Sequence, residues 1–352
     1  MTSRALTDLL GIEHPLLLGP FGGLSSVPLT ARVSELGGLG AFGLYGYDAA
    51  RIRETVAALR ASTSKPFSLN LWVPTGDEVT PQEVDLTRAR AAVQPLFDEL
   101  GLPVPAVPAS FLPSFDEQVA AVLEARPAAM SFVFGVPPAA VVEAAHSAGI
   151  VVMAAATTVA EAVALERGGV DVVVASGFEG AGHRPSFLRP AQESLVGGIA
   201  LVPQVVDAVS VPVVAAGGIA DRRGVAAAFA LGASGVQVGT AFLATDLSVA
   251  TPGHREVART AAADDTVLTR VMSGRFARGI PNPAMRTIEA AGEGAIAPFP
   301  AQNWLTGAFR AEAARQDRPD LVSLWAGQGA SLSPGSDAQE VFAELLRGVP
   351  GE

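Results

Sequence analysis

An α/β fold, the (β/α)8 TIM barrel, is predicted by three features of this sequence. Eight short apolar runs recur ahead of residue 240. Most are followed by an Ala-rich stretch with helical spacing and a recognisable start. Within the runs the apolar residues, many of them β-branched, occupy successive positions and do not alternate with polar ones. That is the pattern of strands covered on both faces, as in a parallel sheet. Eight such units with no break at the halfway point favour closure into a barrel over an open doubly wound sheet.

The runs are Pro15–Gly19, Leu39–Leu44, Phe67–Leu71, Ala129–Phe134, Ile150–Ala155, Asp171–Ala175, Pro212–Ala216 and Gly235–Val238. Helix starts are marked by Asp48, Ser114, Thr158 and Asp221, whose side-chain oxygens suit N-caps. Glu161, three residues after Thr158, completes the spacing of a capping box. Helix ends are marked by Gly37–Gly38, Gly149, Gly168–Gly169 and Gly232, residues that close a last turn at low cost.

Residues 1–245 are thus expected to form the barrel, with an insertion at 74–113 after the third strand. The insertion is rich in Pro and acidic residues, with a helix expected over Pro81–Gln94 that stops before Pro95. Following a strand, it lies over the C-terminal face, where it is either decoration or a lid. Residues 246–330 mix helices with Pro and Gly turns and are expected to form a C-terminal helical subdomain closing over the active site. Residues 331–352 are expected to form a C-terminal helix and tail.

Composition removes several function classes. The chain has no cysteine, which excludes disulfides, thiolate metal sites and a Cys nucleophile. A formal charge of −11 and no basic run argue against a nucleic-acid partner. No apolar stretch reaches the ~20 residues of a membrane span, and the first ten residues lack the pattern of a signal peptide. The expectation is a cytoplasmic protein without a membrane partner.

In this fold the chemistry sits at the C-terminal ends of the strands. The first strand ends in Gly-Pro-Phe-Gly-Gly (19–23), the third carries Asn70, and the sixth leads through Ser176 to a glycine-rich loop ending at His183. The seventh ends in Gly217-Gly218 and the eighth in Gly239-Thr240. Two glycine turns on the last two strands bring bare N–H groups together near helix starts, which suits a phosphate, and Thr240 adds a hydroxyl. A pyridoxal cofactor needs a Schiff-base lysine, but the single lysine, Lys65, precedes the third strand, on the wrong face. His14, His146 and His254 are scattered and offer no metal cluster. A flavin survives this elimination, with Asn70, Ser176 and Gln328 available to its polar edge. His183 can face it, as a proton acceptor when neutral or an anion partner when charged. Glu179 is a possible partner for His183. Arg275 and Arg278 are either substrate-binding or structural.

Several blocks, in this order and spacing, resemble the nitronate monooxygenase family, formerly 2-nitropropane dioxygenases, and in particular its class I group. They are 131–137 (SFVFGVP), 156–177, 179–184 (EGAGHR), 212–241, 274–279 (GRFARG) and 325–329 (WAGQG). The resemblance covers nearly the whole chain. It implies non-covalent FMN, with Gly217, Gly218, Gly239 and Thr240 at the phosphate. Pro20, Gly22, Asn70, Ser176, Gly182 and Gln328 would lie along the rest of the cofactor, and His183 would be the active-site histidine. The implied reaction oxidises alkyl nitronates, or neutral nitroalkanes where these are accepted, with O2 to a carbonyl compound and nitrite. The expected partners are the small-molecule substrate and O2, with a homodimer as a candidate assembly.

The chain departs from the family at Ser176, where Gln is usual, at Ala181 and Pro185, each in place of Gly, and in the first-strand loop. Those departures bear on the substrate more than on fold or cofactor. Three other readings stand beside this one: an NAD(P)H-dependent enoyl-thioester or quinone reductase on the same barrel, a non-catalytic flavin-binding protein, and a phosphosugar enzyme.

Overall fold

The computed structural model describes residues 3–292 and 294–351. Eight parallel strands form the barrel: β1 (Leu16–Leu18), β2 (Gly40–Gly43), β3 (Phe67–Trp72), β4 (Ala129–Val133), β5 (Val151–Ala156), β6 (Val172–Ser176), β8 (Val213–Ala216) and β9 (Gly235–Val238). Each lies within, or within one residue of, a predicted run. The ladder runs β1-β9-β8-β6-β5-β4-β3-β2. It closes where Leu18 N–H donates to the Leu39 carbonyl (2.9 Å) and Leu39 N–H to that of Leu16 (3.0 Å). The sequence prediction of a TIM barrel is therefore correct.

Helices of the outer ring include α2 (Val27–Glu35), α3 (Ala49–Ser62), α5 (Phe115–Ala125), α6 (Ala139–Ser147), α7 (Val159–Arg167), α8 (Gly198–Ala208) and α9 (Arg222–Ala230). Asp48, Ser114, Thr158 and Asp221 are N-caps, as their residue types require. The ring is completed from the far end of the chain. Helix α14 (Ala338–Leu346) packs against both α2 and α9 and buries Val341, Phe342 and Leu345.

Alternate strand residues serve two cores. Leu16, Leu18, Leu69, Val173, Val213 and Val236 face the helices, while Leu17, Leu39, Met153, Val172 and Val214 fill the barrel. The helix α1 (Ser3–Leu10) contributes Leu6 and Leu10 to that inner cluster and plugs the N-terminal end. Leu6 is fully buried. Leu6→Ala is expected to cost about 2–5 kcal/mol, read as a lower urea midpoint at unchanged slope.

A second hydrophobic cluster lies outside the barrel. The insertion contributes α4 (Thr87–Glu99), with Ala89, Val93, Leu96 and Phe97. Against it pack α12 (Pro283–Ala290) and α13 (Ala301–Arg315) through Ile288, Leu305 and Phe309, and α11 (Pro252–Thr260) adds Ala258 to the same cluster. Helix α4 starts later than the sequence suggested and runs through Pro95. Pro95 and Ala91, whose carbonyl loses its partner, are both on the exposed face, where water can take over. Three short strands, β7 (Gly182–His183), β10 (Val267–Thr269) and β11 (Ala277–Gly279), join this layer to the barrel in the order β10-β11-β7. Among the described residues no helix is long and apolar enough to cross a membrane.

Candidate active site

A cavity of about 400 Å³ opens at the C-terminal ends of the barrel strands, the size and place expected of a cofactor site. Its floor is Ala155, Val174, Ala216 and Gln237. The two alanines leave space that larger inner residues would occupy.

One wall is built from glycine. Gly217 and Gly218, at φ +102° and +71°, turn away from β8, and Gly239 precedes the short helix α10 (Thr240–Leu243) after β9. The backbones here touch. A Cβ on Gly329 would stand 2.5 Å from the Gly218 carbonyl oxygen, and one on Gly217 would stand 3.0 Å from that of Gly177. The Thr240 hydroxyl accepts the Gly327 N–H at 3.1 Å, which leaves its own proton for a ligand. On the opposite side Asn70 Nδ2 donates to both the carbonyl and the hydroxyl of Ser131, each at 3.1 Å. That commits the amide nitrogen and leaves the oxygen as an acceptor.

His183 is delivered by two long-range devices. In β7 it pairs with Ala277 of β11, and Arg184 N–H donates to the Phe276 carbonyl at 2.9 Å. The turn beyond it is held by a buried carboxylate. Glu161 accepts N–H groups from Thr157, Phe187 and Leu188 at 2.6, 2.7 and 3.1 Å. The capping box expected at Thr158 therefore forms only in half. Thr158 accepts the Glu161 N–H at 3.2 Å, but the Glu161 side chain turns inward to the His183 loop. Arg184 lies buried beneath, donating to the carbonyls of Ser176, Thr157 and Ser194.

The imidazole is ringed by Trp72, Phe134, Phe299 and Trp325, at centroid distances of 4.8, 6.4, 6.5 and 5.7 Å. Its Nε2 lies 2.8 Å from Ser273 Oγ, and that hydroxyl donates to the Arg275 carbonyl at 2.9 Å. The Ser273 proton is thus committed, so His183 Nε2 carries hydrogen and Nδ1 is the free acceptor. Burial first, and then the charges of Arg275 and Arg310, push the His183 pKa down to about 3. The ring is thereby held uncharged.

The other polar candidates sort by their partners. Glu179 does not reach His183; its carboxylate accepts the Gly198 N–H at the start of α8, at 2.9 and 3.1 Å. Arg278 donates to the Phe178 carbonyl (2.9 Å) and to Thr266. Arg275 pairs with Asp77 and Glu78 of the insertion and stacks on Phe134 and Phe299. Both arginines are structural here, and Arg275 ties the insertion to the rim of the site. His146 pairs with Asp171 at 2.9 Å and His254 contacts the Trp325 carbonyl at 3.1 Å.

The cavity lining brings together His183, Pro20, Gly22, Asn70, Ser176, Gly182, Gly217, Gly218, Gly239 and Thr240. Gln328 is not in it. Its neighbours Gly327 and Gly329 line the wall, and its N–H donates to the Glu179 carbonyl at 3.0 Å. Sequence reasoning missed Tyr45, Trp72, Asn303, Arg310 and Trp325 as lining residues. Trp72 was within reach, because it directly follows the third run. Asn303 and Arg310 carried no local signal, since they come from α13, in the outer layer.

With this geometry in view, the similarities to known proteins are informative. A sequence model described as nitronate monooxygenase matches residues 3–348. The chain belongs to the nitronate monooxygenase family. It is accordingly an oxidoreductase. A probable nitronate monooxygenase of Staphylococcus haemolyticus (strain JCSC1435) is 37% identical to it over 349 residues, covering 99% of this chain and 97% of the relative. The structure of a nitroalkane oxidase from Streptomyces ansochromogenes matches with a TM-score of 0.84 at 31% identity, over 98% of each chain. FabK from Thermotoga maritima matches with a TM-score of 0.75 at 30% identity, over 98% of this chain and 95% of that one. The family match and the barrel agree with what the sequence blocks implied.

Proposed function

We propose that this family member binds FMN non-covalently in the cavity and oxidises alkyl nitronates with O2 to a carbonyl compound and nitrite. The observation that carries the reading is that a single cavity joins a glycine cradle on the last two barrel strands to an uncharged histidine under an aromatic roof. Gly217, Gly218, Gly239 and Thr240 would hold the phosphate, because their bare N–H groups and hydroxyl can approach its oxygens. The cradle fits that group, since side chains at Gly217 or Gly329 would collide with neighbouring backbone. Asn70 and Ser176 would meet the polar edge of the ring system, with Pro20, Gly22 and Gly182 lining its face. Gln328 would contribute through its backbone turn.

When bound, FMN supplies the electron acceptor that O2 restores. His183 Nδ1, neutral at physiological pH, would take the α-proton of a neutral nitroalkane or hydrogen-bond to a nitronate after gaining that proton. The surrounding rings exclude water from the reacting carbon.

The purified protein should be yellow, and its visible absorbance should bleach when an alkyl nitronate is added without oxygen. Readmitted oxygen should restore the colour and release nitrite. A colourless protein that FMN cannot reconstitute would sink the reading. A yellow protein that ignores nitronates but is bleached by NADH or NADPH would replace it with the reductase reading.

A further inference from the structure

Two side chains able to carry positive charge line the cavity, His183 and Arg310, and the first is held uncharged. We propose that Arg310, assisted by Tyr45, is an anion-binding position that holds a planar two-oxygen group of the substrate, one donor to each oxygen.

Arg310 sits on α13 and faces the cavity from the outer layer. Its guanidinium donates to Ser323 Oγ (3.0 Å), the Asn303 carbonyl (3.0 Å) and Asn303 Oδ1 (2.8 Å). All three acceptors are uncharged. Among the described ion pairs none involves Arg310, whereas Arg275 nearby is taken up by Asp77 and Glu78. Three of the five N–H donors are used, and Nε is buried without a partner. A buried guanidinium with no counter-ion is costly unless an anion arrives to complete it, and its second Nη1 N–H is left for one oxygen of such an anion.

Tyr45 adds a donor. Asn303 Nδ2 donates to its hydroxyl oxygen at 3.0 Å, so the hydroxyl proton is free to point elsewhere. Burial pushes the Tyr45 pKa up to about 12 against the nearby positive charges, so that proton stays in place. Tyr45 packs on Trp72 at 4.4 Å, and Trp72 lies 4.8 Å from His183. Trp72 thus stands between Tyr45 and His183, and Asn303 joins Arg310 to Tyr45.

The anion position stands on the cavity itself; only the identity of its occupant rests on the nitronate reading. A planar two-oxygen anion can be the nitronate group or a carboxylate elsewhere on the substrate. Sodium nitrite is the probe for the site, titrated into the purified protein by calorimetry. Arg310→Gln is expected to weaken nitrite binding about tenfold or more, Arg310→Lys to recover part of it, and Tyr45→Phe to weaken it a few-fold. Absence of saturable nitrite binding by the wild type, or equal affinity in the wild type, Arg310→Gln and Tyr45→Phe, overturns the proposal. If circular dichroism shows Arg310→Gln unfolded, the Lys and Phe variants carry the test alone. KM then separates the sources. A rise for a simple alkyl nitronate assigns the site to the nitronate, and a rise confined to a carboxylate-bearing one assigns it to the carboxylate. Arg310-dependent nitrite binding without any nitronate turnover leaves this site in place and removes the proposed reaction.

Discussion

His183→Asn is expected to lower kcat/KM for neutral nitroalkanes by roughly 10³-fold, within the range seen when a general base is removed. The Asn amide can still donate to Ser273, so the loop should keep its place. What disappears is the Nδ1 lone pair, which the Ser273 contact leaves free in the wild type. Preformed nitronates have already lost the proton, so their kcat/KM should fall much less. Equal losses for both substrates would mean that His183 binds the anion and does not act as a base.

The pH dependence has a definite sign. With the His183 pKa near 3, the base is available throughout pH 5–8, and no limb in that range should belong to it. For stability, an unfolded histidine titrates near 6.5, so the unfolded state takes up the proton first. The stabilisation is complete above about pH 6.5 and is lost as pH falls towards 3. The Tm of the wild type should therefore drop more between pH 7 and pH 4 than that of His183→Asn.

Gly329→Ala is the second large effect. Its Cβ would meet the Gly218 carbonyl oxygen at 2.5 Å and the carbonyl carbon at 3.0 Å. Both are backbone atoms of the proposed phosphate turn, and neither can rotate away. Overpacking of this kind costs ~1–3 kcal/mol. Because the clash falls on the cradle and not on the barrel core, much of the cost should appear as a rise of about tenfold to hundredfold in the FMN dissociation constant. Near-native far-ultraviolet dichroism together with weaker FMN binding is the expected pair of results. Unchanged FMN affinity would mean that Gly218 lies outside the phosphate site.

The barrel was legible because its signals are local. Strands such as Val172–Ser176 and Val213–Ala216 are covered on both faces, so their apolar residues are continuous. The N-caps Asp48, Ser114, Thr158 and Asp221 act within three residues of themselves. His183 and the glycine turns were legible as lining of one cavity because that cavity opens where the parallel strands end. Glu161 was misjudged for the same reason in reverse: its spacing from Thr158 was right, but its carboxylate answers to Phe187 and Leu188, 26 and 27 residues away.

The sequence by itself determined the parallel barrel, its strand ends and the glycine cradle, because spacing and backbone freedom are properties of neighbouring residues. Only the tertiary structure decided the charge of His183, since that depends on burial and on two arginines brought from distant segments. It alone placed Arg310, Asn303 and Tyr45 in one cavity and made a C-terminal helix part of the outer ring. Contacts of that kind are chosen by whichever surfaces remain to be covered after the strands have closed, and no local pattern records the choice.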